Sequence, residues 1–149
     1  MANKKYDEDV YILENKKVNG KYFKLIFRSQ KLSRNIKPGQ FLYVRVSQGQ
    51  DPYLRRPFSY FRVSPGKVEI LYEVLGRGTS ILSGKKKGDV FRVMGPIGNT
   101  FTEKLGKKKR ILVAGGVGVP PLVFLAEQYP TEYLLIGTKS KAELLPSLS

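Results

Sequence analysis

Two stretches of the sequence combine residue types that suit a phosphate-bearing ligand. In Arg55-Arg56-Pro57-Phe58-Ser59, an arginine beside a proline of fixed φ can present its planar fork to a phosphate. The neighbouring ring and hydroxyl offer a stacking face and a hydrogen bond. The same string also suits an ordinary strand with an exposed Arg and a core Phe. The second stretch is Gly115-Gly116-Val117-Gly118-Val119-Pro120-Pro121-Leu122, which follows an apolar run and opens a helical one. Glycines at such a junction let the backbone approach a pyrophosphate, and the free amides of a helix N-terminus add a partial positive charge. Proline is tolerated in that first turn because its missing amide would have been unpaired there. The match to the dinucleotide fingerprint is imperfect. Pro121 stands where the third Gly or Ala belongs, and Ile136, Gly137 and Thr138 stand about 20 residues on, where an acid would hold a ribose hydroxyl. A tight strand-to-helix turn without a ligand fits this stretch too.

Other chemistries are excluded by composition. The 149 residues include no Cys, His or Trp. The chain by itself therefore cannot form a disulfide, a cysteine zinc site or a cysteine-held iron–sulfur cluster. A Ser-His-Asp arrangement is equally impossible, and no side chain has an unperturbed pKa near neutrality. No catalytic residue and no metal ligand is assigned, so reactivity must come from a cofactor or a partner. The formal net charge of +15 invites a nucleic-acid or anionic-membrane reading. Its distribution argues otherwise, because residues 111–149 hold two basic and three acidic groups, and the excess lies in residues 1–110. Much of it sits in Lys85 to Lys87 and Lys107 to Arg110, short runs beside glycine that read as solvated turns or as contacts to an acidic partner or cofactor phosphate. The longest nearly apolar run, Ile111 to Ala126, is broken by three glycines and two prolines and falls short of the roughly 20 residues a membrane span needs. MANKKYDEDV lacks the apolar stretch of a signal peptide. A cytoplasmic protein without a membrane anchor is expected.

The elements that must position these residues follow from periodicity. Apolar and polar residues alternate in Tyr22 to Phe27, Phe41 to Val46, Phe58 to Val63 and Val68 to Val74, the pattern of half-buried strands. Asn19-Gly20, Pro38-Gly39, Pro65-Gly66 and Gly88-Asp89 punctuate them as turns. An antiparallel barrel or sandwich over residues 5–100 is expected, with one helical turn at Thr79 to Leu82. After Lys107 the texture changes to an apolar run (Ile111 to Ala114), the glycine cluster, a helical stretch (Pro121 to Gln128) and a second apolar run (Tyr133 to Ile136). That order predicts strand, helix and parallel strand of a nucleotide-binding α/β unit. The boundary is expected near residues 104–110, giving units 1–104 and 105–149. A parallel sheet is ordinarily covered on both faces, and two strands with one helix leave such a sheet incomplete.

RRPFS, LYEVLGRGTS, GDVFRVMGPIGNTF and ILVAGGVGVPPL occur in the order and spacing of a known family. From about Tyr11 to Leu145 the sequence resembles the ferredoxin reductase family of flavoproteins, and within it the electron-transfer branch of type B dihydroorotate dehydrogenases. The resemblance implies an antiparallel six-stranded flavin-binding barrel followed by an incomplete parallel α/β nucleotide-binding unit. It implies that Arg56, beside Pro57, binds the FAD pyrophosphate, that Phe58 lies against the isoalloxazine and that Ser59 hydrogen-bonds near its N5. Leu71, Tyr72 and Glu73 would border the flavin through main-chain groups, and Gly78 with Thr79 would cradle the diphosphate. Gly95-Pro96-Ile97-Gly98 would form the turn ending the barrel, and Gly115, Gly116, Gly118 and Pro121 the floor where NAD(P)H docks. The implied activity passes electrons from NAD(P)H through FAD to a catalytic dehydrogenase subunit in a hetero-oligomer of pyrimidine biosynthesis, with no acid or base from the protein. Reductase subunits of sulfide dehydrogenase or ferredoxin:NADP oxidoreductase type share these motifs and form the alternative. A basic β-barrel stacking its aromatics on nucleic acid is disfavoured, because alternating strand aromatics are more often core and the basic runs lack aromatic interleaving. Members of the dihydroorotate branch end in a cysteine cluster holding a two-iron, two-sulfur centre, for which this sequence has no cysteine. FAD binding is expected, and NAD(P)H binding by this chain alone is expected to be weak or absent.

Overall fold

A computed structural model describes residues 4–49, 51–101 and 110–145. Six antiparallel strands, β1 (Tyr6–Lys17), β2 (Tyr22–Arg28), β3 (Phe41–Arg45), β4 (Arg56–Ser64), β5 (Lys67–Glu73) and β6 (Val90–Ile97), close into a barrel in the order β1-β2-β5-β4-β3-β6. The four alternating runs of the sequence are β2, β3, β4 and β5, and barrel closure settles the choice between barrel and sandwich. Alternation alone does not single out β1, because Asp7, Glu8 and Asp9 crowd its start and only Val10 and Ile12 are fully buried along it. It closes the barrel by pairing with β6 from Tyr6↔Gly95 to Tyr11↔Val90. The expected turn at Gly95-Pro96 is instead the end of strand β6. Closure requires Gly95 there, since a Cβ on it would lie 2.6 Å from the buried Tyr60 hydroxyl.

Inward residues of each strand fill the barrel, among them Val10, Leu25, Phe27, Val44, Ile70 and Val93. Two short helices plug it. Helix α1 (Gln30–Ser33), which the sequence pattern did not announce, seats Leu32 in the core. Its N-cap Ser29 accepts from the Leu32 amide at 3.1 Å and donates to Glu8 at 2.5 Å. Helix α2 (Arg77–Ser83) extends the expected turn and buries Leu82. An ion network seals the seam between β1, β6 and the entry to β4: Arg55 holds Asp7 through both guanidinium nitrogens at 3.0 Å, and Arg92 reaches Asp7 at 3.0 Å and Asp9 at 3.5 Å.

The α/β unit comprises β7 (Ile111–Gly115), a 3-10 turn at Gly116–Gly118, α3 (Val119–Gln128) and β8 (Tyr133–Gly137), with β7 and β8 parallel. The helix starts two residues earlier than the sequence suggests, with Pro120 and Pro121 in its first turn. Consecutive residues of a strand point to opposite faces. In β4, Tyr60 enters the barrel core while Phe61 joins an outer cluster with Tyr22, Leu71, Ala114, Val119 and Val123. Both are fully buried, Tyr60 inside the barrel and Phe61 because α3 covers the barrel wall, and Arg62 meets Glu127 of that helix at 2.6 Å. The other face of the small sheet, with Ile111, Val113, Tyr133 and Leu135, is exposed. Most of the expected boundary at 104–110 lies outside the described residues. So do Lys107 to Lys109.

Two outcomes follow from this packing. Truncating Phe61 to Ala should lower unfolding free energy by about 3–5 kcal/mol, whereas Ile111→Ser on the bare face should change it by less than about 0.5 kcal/mol, both read by denaturant unfolding. The Asp7 carboxyl is held below its ordinary pKa chiefly by the hydrogen bond from Arg55, with burial opposing and Arg92 assisting. A depressed carboxyl stabilises the fold above its unfolded pKa, near 4, and that stabilisation is lost as pH falls through the lower folded value. The stability difference between the parent and Asp7→Asn should therefore be full near neutrality and shrink below about pH 4.

Candidate functional site

Strands β4 and β5 pair from Ser64↔Lys67 to Tyr60↔Ile70, with an irregularity between Tyr60 and Arg62. Beyond that point they part. Arg56 to Ser59 pair only with β3, and Leu71 to Glu73 only with β2. Between the parted strands opens a cleft of about 490 Å³, lined by Arg56, Pro57, Phe58, Ser59, Leu71, Tyr72, Glu73 and Thr79, together with Gly39, Phe41, Leu75, Val117 and Pro120. A proline suits this edge, because it has no amide to donate to a β5 partner. Main-chain groups that would have completed a ladder here are available to a ligand.

Each wall is fixed from behind. Phe58 and Tyr72 meet edge to face across the gap, with ring centroids 5.7 Å apart at 67°. Tyr72 donates its hydroxyl to Asn15 Oδ1 at 3.1 Å, and the Asn15 amide donates to the carbonyls of Leu82 and Lys85 at 2.8 and 2.9 Å. One side chain of β1 thus locks both the aromatic wall and the end of α2. Burial pushes the Tyr72 phenol up to about 12, against the opposing effect of the Asn15 hydrogen bond, so the wall is uncharged at neutral pH.

Arg56 forms the polar end. It donates to the Leu54 carbonyl at 2.6 Å. Its stem passes over Gly78, where a Cβ would stand 2.8 Å from the Arg56 Nε; only glycine permits that approach. Neighbouring arginines are neutralised, Arg55 by Asp7 and Arg77 by Asp51 at 2.6 Å. Among the described residues Arg56 has no carboxylate partner. The Thr79 hydroxyl accepts from the amides of Leu75 and Gly76 at 3.0 and 3.1 Å, shaping the turn into α2. An aromatic, largely apolar slot with one uncompensated guanidinium is built for a flat ring attached to an anion.

The structure thus gathers Arg56, Pro57, Phe58, Ser59, Leu71, Tyr72, Glu73 and Thr79 on one cleft, with Gly78 directly beneath Arg56. Gly115, Gly116, Gly118 and Pro121 lie beside it but do not line it; their neighbours Val117 and Pro120 do. Gly39 and Phe41 escaped the sequence reading, since Pro38-Gly39 signals only a turn and Phe41 only a strand position. Nothing near Asn15 in the sequence announces its role, which depends on contacts 57 to 70 residues away.

A closed six-stranded barrel, a cleft where two of its strands part and a parallel strand-helix-strand unit docked beside it make up the barrel fold of ferredoxin reductase-type flavoproteins, and the chain has that fold. The solved structure of an NADH-dependent reduced ferredoxin-NADP oxidoreductase superimposes with a TM-score of 0.81 at 26% identity, covering 94% of this chain and 52% of that one. Phthalate dioxygenase reductase does so with a TM-score of 0.74 at 22% identity, over 93% of this chain and 46% of that one. The ferredoxin-NADP reductase alternative is thereby met as a related fold. By sequence, the chain groups with the electron transfer subunits of dihydroorotate dehydrogenase B (NAD(+)). The subunit from Desulforamulus reducens is 41% identical over 127 residues, covering 80% of this chain and 48% of the relative. That from Fusobacterium nucleatum is 33% identical over 145 residues, covering 92% and 56%. The chain therefore spans about half the length of the curated relatives it matches. No family model matches it. No helix among the described residues is long and apolar enough to cross a membrane.

Replacing Asn15 by Ala should remove the partner of the Tyr72 hydroxyl and of the Lys85 carbonyl, and the side-chain donor to the Leu82 carbonyl, which the Lys85 amide also serves. The expected loss is about 1–3 kcal/mol of stability in chemical denaturation, which Asn15→Asp should not restore because a carboxylate cannot donate to those carbonyls.

Proposed function

We propose that the cleft binds FAD and that the chain serves as the flavin-holding part of an electron-transfer component. In this reading Arg56 and the turn at Gly78 and Thr79 hold the diphosphate, Phe58 and Tyr72 flank the ring system, and Leu71 and Glu73 border it with main-chain groups freed by the parting of β4 and β5. Ser59 offers a hydroxyl at the ring edge. The observation that carries the assignment is Arg56, a guanidinium that has no carboxylate partner among the described residues and is seated over a glycine at the end of an aromatic slot. Bound there, FAD would supply hydride exchange with a nicotinamide and onward electron transfer. The residues of this chain contribute placement, charge compensation and a dry wall. No residue here needs to act as acid or base, in keeping with a sequence that lacks His and Cys.

The electrons would pass between a nicotinamide nucleotide and a catalytic dehydrogenase subunit acting on dihydroorotate, as supported by the name shared by the curated relatives. The "NAD(+)" in that name supports NAD as the nucleotide. Gly115, Gly116, Gly118 and Pro121 would carry its docking from beside the cleft, where Val117 and Pro120 already contribute to the wall. Residues 1–104 would then be the flavin unit and 105–149 the beginning of the nucleotide unit. The chain has no cysteine with which to hold an iron–sulfur cluster.

Titration of the purified chain with FAD, followed by flavin absorbance and fluorescence, tests the assignment. Arg56→Ala should cost about 1.5–3 kcal/mol of binding, roughly a 10- to 150-fold rise in Kd. Gly78→Val should weaken binding in the same direction by displacing the Arg56 side chain, with the fold retained by circular dichroism. An Arg56→Ala protein that binds FAD as tightly as its parent would overturn the assignment, as would a folded parent that takes up none.

A further inference from the structure

Glu73, the one acidic residue among the described residues that line the cleft, is tied to the α/β unit through a single lysine. Lys21 Nζ lies 3.6 Å from Glu73 Oε1 and 3.3 Å from Glu143 Oε1. Lys21 sits in the turn joining β1 to β2, and Glu143 in the 3-10 turn Lys141–Glu143 that follows β8. The two turns are fastened a second time by Asn19. Its carbonyl oxygen accepts from the amides of Lys21 and Tyr22, and its amide donates to the Glu143 main-chain carbonyl at 3.0 Å. Tyr22 beside them is buried in the cluster that joins barrel and α/β unit, and Lys21 Nζ stands 5.3 Å from its ring centroid.

This arrangement is more than a solvent-exposed pair. The side chains of Glu73 and Glu143 are 18% and 21% exposed, so their charges are incompletely screened. Burial works against the charge on Lys21, but its hydrogen bond to Glu143 and the nearby carboxylates outweigh that, and its pKa is raised. The triad carries one net negative charge with the lysine present. Without it, two carboxylates would share one partly buried site, which is unfavourable for both.

We propose that Lys21 is a positioning residue that couples seating of the α/β unit to the electrostatics of the cleft, bridging the acid of the flavin wall to the acid of the nucleotide unit. Its redox consequence rests on the FAD reading above; its structural consequence does not. Two-electron, one-proton reduction leaves a bound flavin one negative charge richer, and a carboxylate in the wall opposes that change. Lys21 offsets Glu73 only in part, because it is shared with Glu143. Releasing the α/β unit from Lys21 would let the lysine neutralise Glu73 more fully, so unit docking and flavin potential are linked.

The test uses the full chain and the variants Lys21→Met, Lys21→Arg and Glu143→Gln. In the protein without flavin, amide hydrogen exchange of α3, β7 and β8 should accelerate in Lys21→Met and in Glu143→Gln and stay near the parent rate in Lys21→Arg. In the FAD-loaded protein, reductive titration against a reference dye should give a more negative midpoint potential for Lys21→Met, a less negative one for Glu143→Gln, and little change for Lys21→Arg. A purely structural role would move both disruptive variants in one direction. Unchanged exchange in Lys21→Met, or potentials that shift together, would overturn the coupling. Should Lys21→Met fail to fold, Glu143→Gln decides by the same two readouts. Should the folded parent take up no FAD, the flavin reading falls and the exchange comparison alone decides for or against the lysine bridge.

Discussion

Strands β4 and β5 pair only as far as Tyr60 and Ile70, and the proposed flavin site depends on their parting there. In a closed barrel every strand normally has two hydrogen-bonded neighbours, so no main-chain edge is left for a ligand. Here the segments 56–59 and 71–73 each keep one neighbour and lose the other. The lost ladder is partly compensated by chemistry suited to an edge. Pro57 has no amide to leave unpaired, and Phe58 and Tyr72 fill the gap with rings rather than with a backbone ladder. Below the split, the buried Tyr60 packs against Gly95 and holds the barrel closed.

Charge is distributed around this opening by the same economy of partners. The chain is strongly basic, yet the arginines flanking the cleft are mostly committed: Arg55 to Asp7, Arg77 to Asp51, Arg62 to Glu127. These pairs seal the barrel seam, brace the turn into α2 and fasten α3 to the wall. Arg56 alone among this group lines the cleft, with no carboxylate partner among the described residues. An uncompensated guanidinium beside apolar rings is a poor contributor to stability and a good receptor for an anion, which is the physical reason to read the site as functional. Glu73 lines the same cleft and is paired with Lys21.

The bare face of the β7–β8 sheet belongs to the same picture. Its residues were visible in the sequence as unbroken apolar runs, the mark of a parallel sheet meant for cover on both sides. One side is met by α3 and, through Phe61, Leu71 and Tyr22, by the barrel itself. Residues Tyr60 and Phe61 show how this reads in one dimension: two consecutive large side chains, both buried, look like a lapse in alternation until a helix is found to cover the outer face.

What the amino-acid order determined by itself is local. Period-two alternation set the four central strands, glycine and proline placed their turns, and the glycine-proline junction ahead of α3 announced a strand-to-helix turn, because these signals act over a few residues of backbone and one face of an element. The run from Arg56 to Ser59 could be named from its chemistry and its likeness to a family, but an ordinary strand would have read the same way. Tertiary structure decided which of two adjacent arginines is neutralised, since Asp7 lies 48 residues from Arg55. It also decided that Val117 and Pro120, not their glycine neighbours, reach the cleft, and that Asn15 anchors Tyr72. Strand β1 became legible only on closure: its polar face gives little periodic signal, and its place is settled by hydrogen bonds to a strand some 80 residues away. Partner choice, depth and the parting of two strands are properties of three-dimensional packing, and no short-range pattern encodes them.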